Sequence, residues 1–230
     1  MISVITCTNR DYMRENVFQN YTNQVLKNKE LIIILNKDDM DINKWKEKAQ
    51  RYRNVTIYHL SEKLSVGECK NFAVQQSNYH YIAKFDDDDY YAPLYLESAW
   101  LAFRKNKQAD LIGKSSIYYY FKKRKVLGLF QTQAENTFVS WVADSTLVFK
   151  KEVFNKVRFT NMKAGSDQKF QMDCKKKGFN IFSTDRFNHA VIRRENPNHH
   201  TWKIKDQDLL RTCTNIVHTK DFKSIVTASK

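Results

Sequence analysis

The chain has few of the residues that build nucleotide-binding loops. It contains five glycines and two prolines in 230 residues, which leaves little material for a glycine-rich phosphate loop. The patterns GxGxxG, GxxxxGK[ST], HExxH and GxSxG are all absent from the sequence. A nucleotide, if one binds, must therefore be held in another way.

Cysteine pairs and long apolar runs are also missing. The four cysteines, Cys7, Cys69, Cys174 and Cys213, include no CxxC pair, so we expect neither a zinc knuckle nor a disulfide framework. No apolar run reaches the roughly 18 residues of a transmembrane helix, and the opening MISVITCTNRDYM lacks the features of a signal peptide. We expect a globular cytoplasmic protein, with peripheral attachment to a membrane or spore surface left open.

Acidic residues are scarce in the second half of the chain. Residues 1–92 contain 13 Lys and Arg against 13 Asp and Glu, whereas residues 93–230 contain 26 against 12. The net charge of +14 therefore lies entirely in the second half. Such a surface attracts phosphate, anionic polysaccharide, anionic lipid or nucleic acid, although solubility alone would also account for it.

Short segments rich in β-branched or aromatic residues alternate with polar segments of helical length in the first part of the chain. The predicted strands are residues 2–7, 30–35, 54–59 and 79–85, and the predicted helices are residues 11–26, 41–53 and 65–77. This alternation predicts an α/β fold with a central, mostly parallel sheet flanked by helices. Ligands bind such sheets beyond the carboxyl ends of the strands.

The alternation breaks down after a further predicted helix in LYLESAWLAFRK. Residues 109–149 contain several predicted strands, in ADLIGKSSIYYYF, KVLGLFQ and DSTLVFK, and helices are predicted near residues 151–156 and 167–177. No repeat or Pro/Gly-rich linker divides the chain. We therefore expect the two halves to share one sheet rather than to form separate domains.

Four consecutive aspartates, Asp86 to Asp89, follow the fourth predicted strand in FDDDDYYAP. Two carboxylates spaced i, i+2 can face one divalent cation that also coordinates diphosphate oxygens, which predicts Mg²⁺ or Mn²⁺ as cofactor. A solvated acidic turn or helix cap is the other interpretation. The position between an apolar strand and a helix favours the metal site.

Four motifs, in order, resemble those of the family 2 glycosyltransferases of the GT-A fold: SVITCTNR, QNYTNQVLKNKELIIILN, VGECKNFAV and YIAKFDDDDYYAPLYLE. The resemblance implies a Rossmann-like sheet with a smaller antiparallel sheet on the acceptor side. It also implies one domain over residues 1–230, with a nucleotide-sugar-binding half (1–92) and an acceptor-binding half (93–230). The segments ILNKDDMD and HTW further resemble glycosyltransferases of spore-surface polysaccharide synthesis.

The resemblance implies roles for residues that match the family's motifs. Donor contacts are expected from Thr6, Thr8, Arg10, Asn36, Asp39, Gly67, Lys70, Asp86, Asp87, Arg193 and Arg194. Metal ligation is expected from Asp88, Asp86 and His200, the last preferred over His199. Asn36 replaces the aspartate that usually bonds uracil, so a UDP-linked donor requires its amide oxygen, or Asp38 or Asp39 in a shifted register.

The second half resembles the family's acceptor and catalytic segments. NMKAGSDQKF implies that Asp167 is the catalytic base, although a carboxylate favoured by a helix N-terminus is the other interpretation. Acceptor contacts are expected from Trp141, Asp144, Ser145 and Trp202. The basic runs KKRK (122–125) and KKK (175–177) are either solvated faces or acceptor-binding elements.

The predicted function is metal-dependent, inverting glycosyl transfer from a nucleoside-diphosphate sugar, expected to be UDP-linked, to a hydroxyl of a saccharide or lipid-linked acceptor in polysaccharide or glycoconjugate synthesis. The basic second half leaves an anionic acceptor open. One alternative is a metal-dependent nuclease or phosphodiesterase. Another is a basic nucleic-acid-binding module that stacks bases on Tyr118 to Phe121 beside KKRK. An acidic cluster in the pocket argues against both, and no nucleic-acid partner is expected.

Overall fold

The computed structural model describes residues 1–162, 165–194 and 203–228. The strands are β1 (Ile2–Thr8), β2 (Lys29–Leu35), β3 (Val55–His59), β4 (Tyr81–Lys84), β5 (Tyr90–Tyr91), β6 (Leu111–Lys114), β7 (Ser116–Phe121), β8 (Val126–Gln131), β9 (Thr137–Val139), β10 (Val148–Lys150), β11 (Ile181–Thr184), β12 (His189–Arg193) and β13 (Thr214–His218). The α-helices are α1 (Arg14–Thr22), α2 (Ile42–Ala49), α3 (Val66–Gln76), α4 (Tyr95–Lys105), α5 (Ser166–Lys176), α6 (Asp206–Arg211) and α7 (Lys223–Val226).

The larger sheet has eight strands in the order β3-β2-β1-β4-β10-β6-β11-β9. Strands β1 to β4 are parallel, as are β6 and β11, whereas β10 and β9 are antiparallel to their neighbours. The four strands predicted for the first half are confirmed, and strands of both halves contribute to this sheet. The carboxyl ends of β1, β2 and β4 consequently meet at one edge.

The central strands are buried on both faces, which explains their continuous apolar runs. Ile33 of β2 packs in one core with Phe18 and Trp45 of the helices on one side. The adjacent Ile32 faces the opposite core, where Cys69 of α3 also lies. Alternate residues of one strand therefore hold helices against both faces of the sheet and fix the edge at which the strands end.

The smaller sheet has five strands in the order β13-β8-β7-β12-β5. Its pairs are antiparallel except for β7 with β12. Strand β7 continues from β6 after Ser115, so the two sheets are continuous along the chain. The aromatic run Tyr118 to Phe121 is buried, at most 7% exposed, and is therefore not available for base stacking. This removes the observation that supported a nucleic-acid-binding module.

The strand predicted in DSTLVFK is confirmed only over Val148–Lys150, and other predictions were incomplete. Asp144–Thr146 form a 3-10 helix, and the strand begins only at Val148, because Thr146 bonds back to the carbonyl of Ala143 through both its backbone N–H and its hydroxyl. The predicted helices at 11–26 and 151–156 begin or consist of 3-10 turns, Asp11–Met13 and Lys151–Asn155. Within the described residues, no helix has the length and apolar character required to cross a bilayer.

Candidate functional site

The four aspartates after β4 face alternately inward and outward. Asp87 and Asp89 are 3% and 5% exposed, whereas the side chains of Asp86 and Asp88 are 34% and 15% exposed. β4 ends at Lys84 and Asp87 to Asp89 form a tight turn, in which hydrogen bonds from Thr8, Arg10 and Ile192 hold Asp87 and Asp89 inward. This leaves Asp86 and Asp88 as the pair that faces the open edge of the sheet.

Asp87 is held by the turn that follows β1. The Thr8 hydroxyl donates to Asp87 Oδ2, Arg10 Nε donates to the same oxygen at 3.0 Å, and Arg10 Nη2 forms an ion pair with Oδ1. Burial raises the pKa of Asp87, and the Arg10 bonds oppose that shift. Arg10 Nη1 also reaches Asp88 Oδ2 at 3.0 Å. The predicted donor residues Thr8, Arg10 and Asp87 are therefore brought together, chiefly to fix the acidic turn.

Asp89 anchors the same turn to α1 and β12. Its carbonyl oxygen accepts from Asn16 Nδ2 at 3.0 Å and Asn20 Nδ2 at 2.8 Å, and its Oδ1 accepts from the Ile192 N–H at 3.2 Å. Burial, together with the charges of Asp88 and Asp86, raises the pKa of Asp89 well above its ordinary value. This carboxyl group is thus a structural element of the turn.

Lys84, the last residue of β4, is a site residue that the sequence reasoning missed. Its buried Nζ lies 2.9 Å from Asp86 Oδ1 and 3.2 Å from Asp167 Oδ2, and it donates to the Asp144 carbonyl at 3.1 Å. Burial acts to lower the pKa of Lys84, but the surrounding carboxylates outweigh it and raise that pKa well above normal. A lysine inside the apolar strand YIAKF, two residues before Asp86, was the available signal.

Asp167 lies in the first turn of α5, after Gly165, whose φ of 79° is a left-handed conformation that glycine adopts without strain. Lys70 Nζ lies 2.6 and 2.7 Å from the two Asp167 carboxylate oxygens. Burial alone would raise the pKa of Asp167, but the ammonium groups of Lys84 and Lys70 lower it below its ordinary value. The carboxylate is therefore ionised at neutral pH and paired with two cations.

A second carboxylate, Asp144, lies close enough to Asp167 to interact with it electrostatically. Gln171, one helical turn after Asp167, donates from Nε2 to Asp144 Oδ1 at 2.8 Å. The same amide also donates from Nε2 to the Val142 carbonyl and accepts at Oε1 from the Val142 N–H. Burial raises the pKa of Asp144 to about 6, and the negative charge of Asp167 adds to the shift. Trp141, beside this segment, is 42% exposed at the surface.

Tyr91 connects the acidic turn to the acceptor-side segment. Its hydroxyl accepts from the Asp86 N–H at 2.8 Å and donates to the carbonyl of Ser145 at 2.6 Å, while its ring stacks on Phe85 with centroids 3.8 Å apart. Ser145 itself is buried. An aromatic residue with a hydroxyl five positions after Asp86 gave no distinctive signal in the sequence.

The residues expected near the base are more dispersed. Thr6 is buried within β1. Asn36, directly after β2, donates from Nδ2 to the Ser61 carbonyl at 2.8 Å, and its Oδ1 accepts no hydrogen bond from a described residue. Asp39 is exposed and paired with Lys37 at 2.8 Å. Of these residues, Asn36 therefore has the acceptor atom best placed at the sheet edge.

Gly67 packs against the backbone of another segment and does not line an open pocket. A Cβ atom at this position would lie 2.2 Å from the carbonyl oxygen of Thr160, so the glycine permits α3 to approach residues 157–162. Asn71 reinforces that contact, because its side chain donates to the Phe159 carbonyl and accepts from the Phe159 N–H, at 2.8 and 2.9 Å. The close backbone approach that Gly67 permits is therefore explained by packing.

The two predicted arginines, the last residue of β12 and the residue after it, have different partners. Arg193 is buried, with Nε 2.8 Å from Asp206 Oδ1 and Nη2 2.7 Å from the Ile204 carbonyl. Arg194 Nη2 donates to the Asp88 carbonyl at 3.0 Å, so it is the arginine beside the acidic turn. The predictions for His199, His200 and Trp202 lie outside the described residues.

The outward aspartates retain ligand atoms that fit a divalent cation. Asp86 uses Oδ1 for Lys84 and Asp88 uses Oδ2 for Arg10, so one oxygen of each carboxylate has no hydrogen bond to a described residue. Within the described ranges, no group of three or more His, Cys, Asp or Glu side chains could hold a metal ion. Two carboxylate oxygens suit Mg²⁺ or Mn²⁺ that takes its other ligands from phosphate and water.

The structure is similar to crystal structures of TarS from S. aureus. The complex of TarS 1-349 with UDP-GlcNAc has a TM-score of 0.66 and 15% sequence identity, covering 92% of this chain and 64% of that one. The complex with UDP has a TM-score of 0.62 and 16% identity, covering 83% and 60%. In a longer TarS structure, with a TM-score of 0.60 and 15% identity, the match covers 83% of this chain and 36% of that chain.

This chain thus corresponds to between about one third and two thirds of each TarS chain, and at such identity the likeness establishes the fold. No curated protein sequence matches it significantly. The sequence profile described as Glycosyl transferase family 2, however, matches residues 3–171 of the 230. The chain is therefore a member of glycosyltransferase family 2, built on the GT-A fold.

Proposed function

We propose that this chain transfers a sugar from a UDP-linked donor to a hydroxyl group, with inversion at the anomeric carbon. The observation that carries the proposal is the meeting, at one sheet edge, of the outward pair Asp86 and Asp88 with the Lys70–Asp167 ion pair. The TarS structure with bound UDP-GlcNAc supports the choice of a uridine donor, since it is similar in fold.

In the proposed donor complex, Asn36 Oδ1 accepts a hydrogen bond from the uracil at the end of β2. Lys70 and Arg194 contribute positive charge beside the diphosphate. Lys70 is placed for this by its contact with Asp167, and Arg194 by its contact with the Asp88 carbonyl. Asp86 and Asp88 hold Mg²⁺ or Mn²⁺, which when bound supplies charge stabilisation to the departing diphosphate. Thr8 and Arg10 keep the turn in shape through Asp87.

Asp167 is the proposed general base. As the acceptor oxygen forms its bond to the anomeric carbon, its proton passes to Asp167, and the bond to the diphosphate oxygen breaks with its electron pair leaving on UDP. The attack comes from the side opposite the leaving group, so one displacement inverts the configuration. Trp141, Asp144 and Ser145 are the proposed acceptor contacts, with Trp141 the most exposed of the three.

Lys70 has two proposed partners, Asp167 and the donor diphosphate. When the diphosphate attracts Lys70, Asp167 loses part of the positive charge that keeps its pKa low, and its affinity for the acceptor proton rises. Donor binding would in this way prepare the base before the acceptor reacts. The alternative of a metal-dependent phosphodiesterase has less support, since within the described residues no third metal-binding side chain joins Asp86 and Asp88.

The test is a thermal-shift panel of UDP, GDP, dTDP and CDP, each with and without Mn²⁺. A nucleotide at about 100 times its Kd should stabilise the protein by roughly 2.7 kcal/mol, and we expect this for UDP with Mn²⁺. If no diphosphate gives a metal-dependent shift, the donor-site assignment fails. Once an acceptor is found, retention of the anomeric configuration in the product would falsify the inverting mechanism.

A further inference from the structure

One of the two basic runs of the chain lies beside the candidate site. The turn between β7 and β8 is Lys122–Lys125, and all four of its side chains are exposed. The Lys122 N–H donates to the Arg193 carbonyl at 3.0 Å, and the next residue, Arg194, contacts the Asp88 carbonyl. From the spacing of paired strands and consecutive residues, Lys122 lies within about 10 Å of Arg194 between Cα atoms.

Lys220 extends the same surface. The N–H of Thr219 donates to the Lys125 carbonyl at 2.8 Å, which brings the exposed Lys220 to the base of the turn. We call Lys122, Lys123, Arg124, Lys125 and Lys220 the basic rim. Within the described part of the chain, none of these five side chains forms an ion pair with an acidic residue.

The other basic run, Lys175–Lys177, lies at the opposite end of α5 from Asp167. The helix has 11 residues, so its ends are separated by about 16 Å. Its last turn leads to Asn180, whose carbonyl accepts from Asp110 just before β6, at the amino-terminal edge of the sheet. Three exposed lysines therefore lie far from the site, where they also complement the carboxyl end of the helix dipole.

The turn that carries most of the basic rim exposes no apolar side chain of its own; the exposed Ile216 and Val217 lie on the adjacent strand β13. The apolar residues that flank the turn, Phe121 and Val126, are 1% and 3% exposed, and the turn between them contains only Lys and Arg. Membrane-surface segments combine basic residues with apolar side chains that enter the lipid. A hydrated polyanion, in contrast, requires cations spaced along a surface and no apolar contact.

We propose that the basic rim binds an acceptor that is an anionic polymer, with the reacting hydroxyl at Asp167 and the adjoining charged units on the rim. The inference rests on the proposed glycosyl transfer and names the class of its acceptor. It gives a role to five of the basic residues in residues 93–230, whereas the donor site needs only local charge. It also assigns different roles to the two basic runs: the rim binds the acceptor, and Lys175–Lys177 form a solvated helix end.

The test compares two variants with the same change in net charge. The rim variant is K122Q/K123Q/R124Q, and the matched control is K175Q/K176Q/K177Q. The probe is fluorescently labelled inorganic polyphosphate, and its Kd is measured by anisotropy over a series of salt concentrations. Each phosphate contact contributes roughly 0.7 to the slope of log K against log salt, so the rim variant should lose about 2 units of slope while the control keeps the wild-type slope.

We also expect the rim variant to bind polyphosphate at least about tenfold more weakly at low salt. An unchanged rim variant, or an equal loss in both variants, would overturn the proposal, because binding would then follow net charge rather than position. Rim-dependent binding to phosphatidylserine vesicles with none to polyphosphate would also overturn it in favour of a membrane. The metal-dependent UDP shift is measured in parallel: its absence from wild type counts against the transferase itself, and its persistence in the rim variant confines a failure to the acceptor.

Discussion

Lys70 and Asp167 form a buried ion pair in which a single ammonium nitrogen lies 2.6 and 2.7 Å from the two oxygens of one carboxylate. Lys84 approaches the same carboxylate from β4 at 3.2 Å. A base paired in this way is held in position and kept ionised, but its affinity for a proton is reduced. The cations around Asp167 therefore determine when it can act.

Asp167→Asn should abolish transfer while sparing donor binding. The amide cannot accept the acceptor proton, and general-base catalysis typically contributes about 10²- to 10⁴-fold to the rate. We expect a rate loss in that range and an unchanged UDP shift with Mn²⁺. Asp173→Asn is the matched control, because it lies in the same helix and, among the described residues, its carboxylate pairs with Lys169 alone. Wild-type rates in Asp167→Asn with an intact fold would exclude it as the base.

The pH dependence should separate Asp144 from Asp167. The pKa of Asp144 is about 6, because of burial and then the charge of Asp167, whereas that of Asp167 is below its ordinary value. As the pH falls through 6, Asp144 gains a proton, Asp167 loses a repelling neighbour, and its basicity declines. The transfer rate should therefore fall below about pH 6, and Asp144→Asn should remove this inflection from the rate profile.

The same shift predicts a stability effect of the opposite sign. A carboxyl group whose pKa is raised on folding binds its proton more tightly in the native state, so its ionisation destabilises the fold as the pH rises from about 4 to 6. Asp144→Asn should then increase the free energy of unfolding more at pH 8 than at pH 4, as measured by urea titration. An equal change at both pH values would show that Asp144 ionises as an ordinary surface aspartate.

Lys84→Met should raise the pH at which the transfer rate falls on the acid side of its pH profile, which we call the acid limb. Without this ammonium group, burial of Asp167 is opposed by Lys70 alone, and Asp144 loses a charge that lowers its pKa, so both pKa values rise and the inflection near pH 6 moves to higher pH. A merely structural role would lower activity at every pH without shifting the limb. Breaking a buried ion pair typically costs about 3–5 kcal/mol, so Tm is measured first, and Lys84→Arg, which retains the charge, should keep the limb near its wild-type position.

Much of this arrangement could be predicted from the sequence. The continuous apolar strands and polar helices of the first half predict the parallel edge, and the choice of Asp86 and Asp88 among the four aspartates is what the resemblance to the family's metal motif implies. The contacts of Lys84 with Asp144 and Asp167 could not be predicted, because these two residues are 60 and 83 positions away and only tertiary packing brings them together. Strand β13 was missed because its residues are all exposed, so no burial pattern marks it.

The acidic turn yields a prediction that distinguishes its neighbouring carboxylates. Asp88→Ala should remove the metal dependence of the UDP thermal shift. The loss of stability should be small, since the Asp88 side chain is partly exposed and Arg10 retains its ion pair with Asp87. Asp87→Ala should instead destabilise the fold by about 3 kcal/mol, because Thr8 and Arg10 lose a buried partner. If Asp87→Ala or Asp89→Ala removed the metal dependence and Asp88→Ala did not, the assignment would be displaced by one residue.

Gly67 and Gly165 lie near the Lys70–Asp167 ion pair and require glycine for different reasons, Gly67 for close packing and Gly165 for a positive φ. In Gly67→Ala the new Cβ would meet the Thr160 carbonyl oxygen at 2.2 Å, so the backbone of residues 157–162 would have to move away from α3, which carries Lys70. In Gly165→Ala nothing lies within 4 Å of the Cβ, but φ is 79°, which costs about 1 kcal/mol. Overpacking typically costs about 1–3 kcal/mol, so Gly67→Ala should lower Tm more.

The two glycine variants should also differ in their effect on the base. Gly67→Ala displaces Lys70 relative to α5, so the acid limb of the rate profile should rise as the pair weakens. Gly165→Ala strains the backbone at the N-cap of α5 but leaves the Lys70–Asp167 contact in place, and its limb should remain where it is in wild type. The opposite ranking in Tm, together with a shifted limb only in Gly165→Ala, would mean that the backbone conformation of Gly165, rather than the contact between α3 and Thr160, positions Asp167.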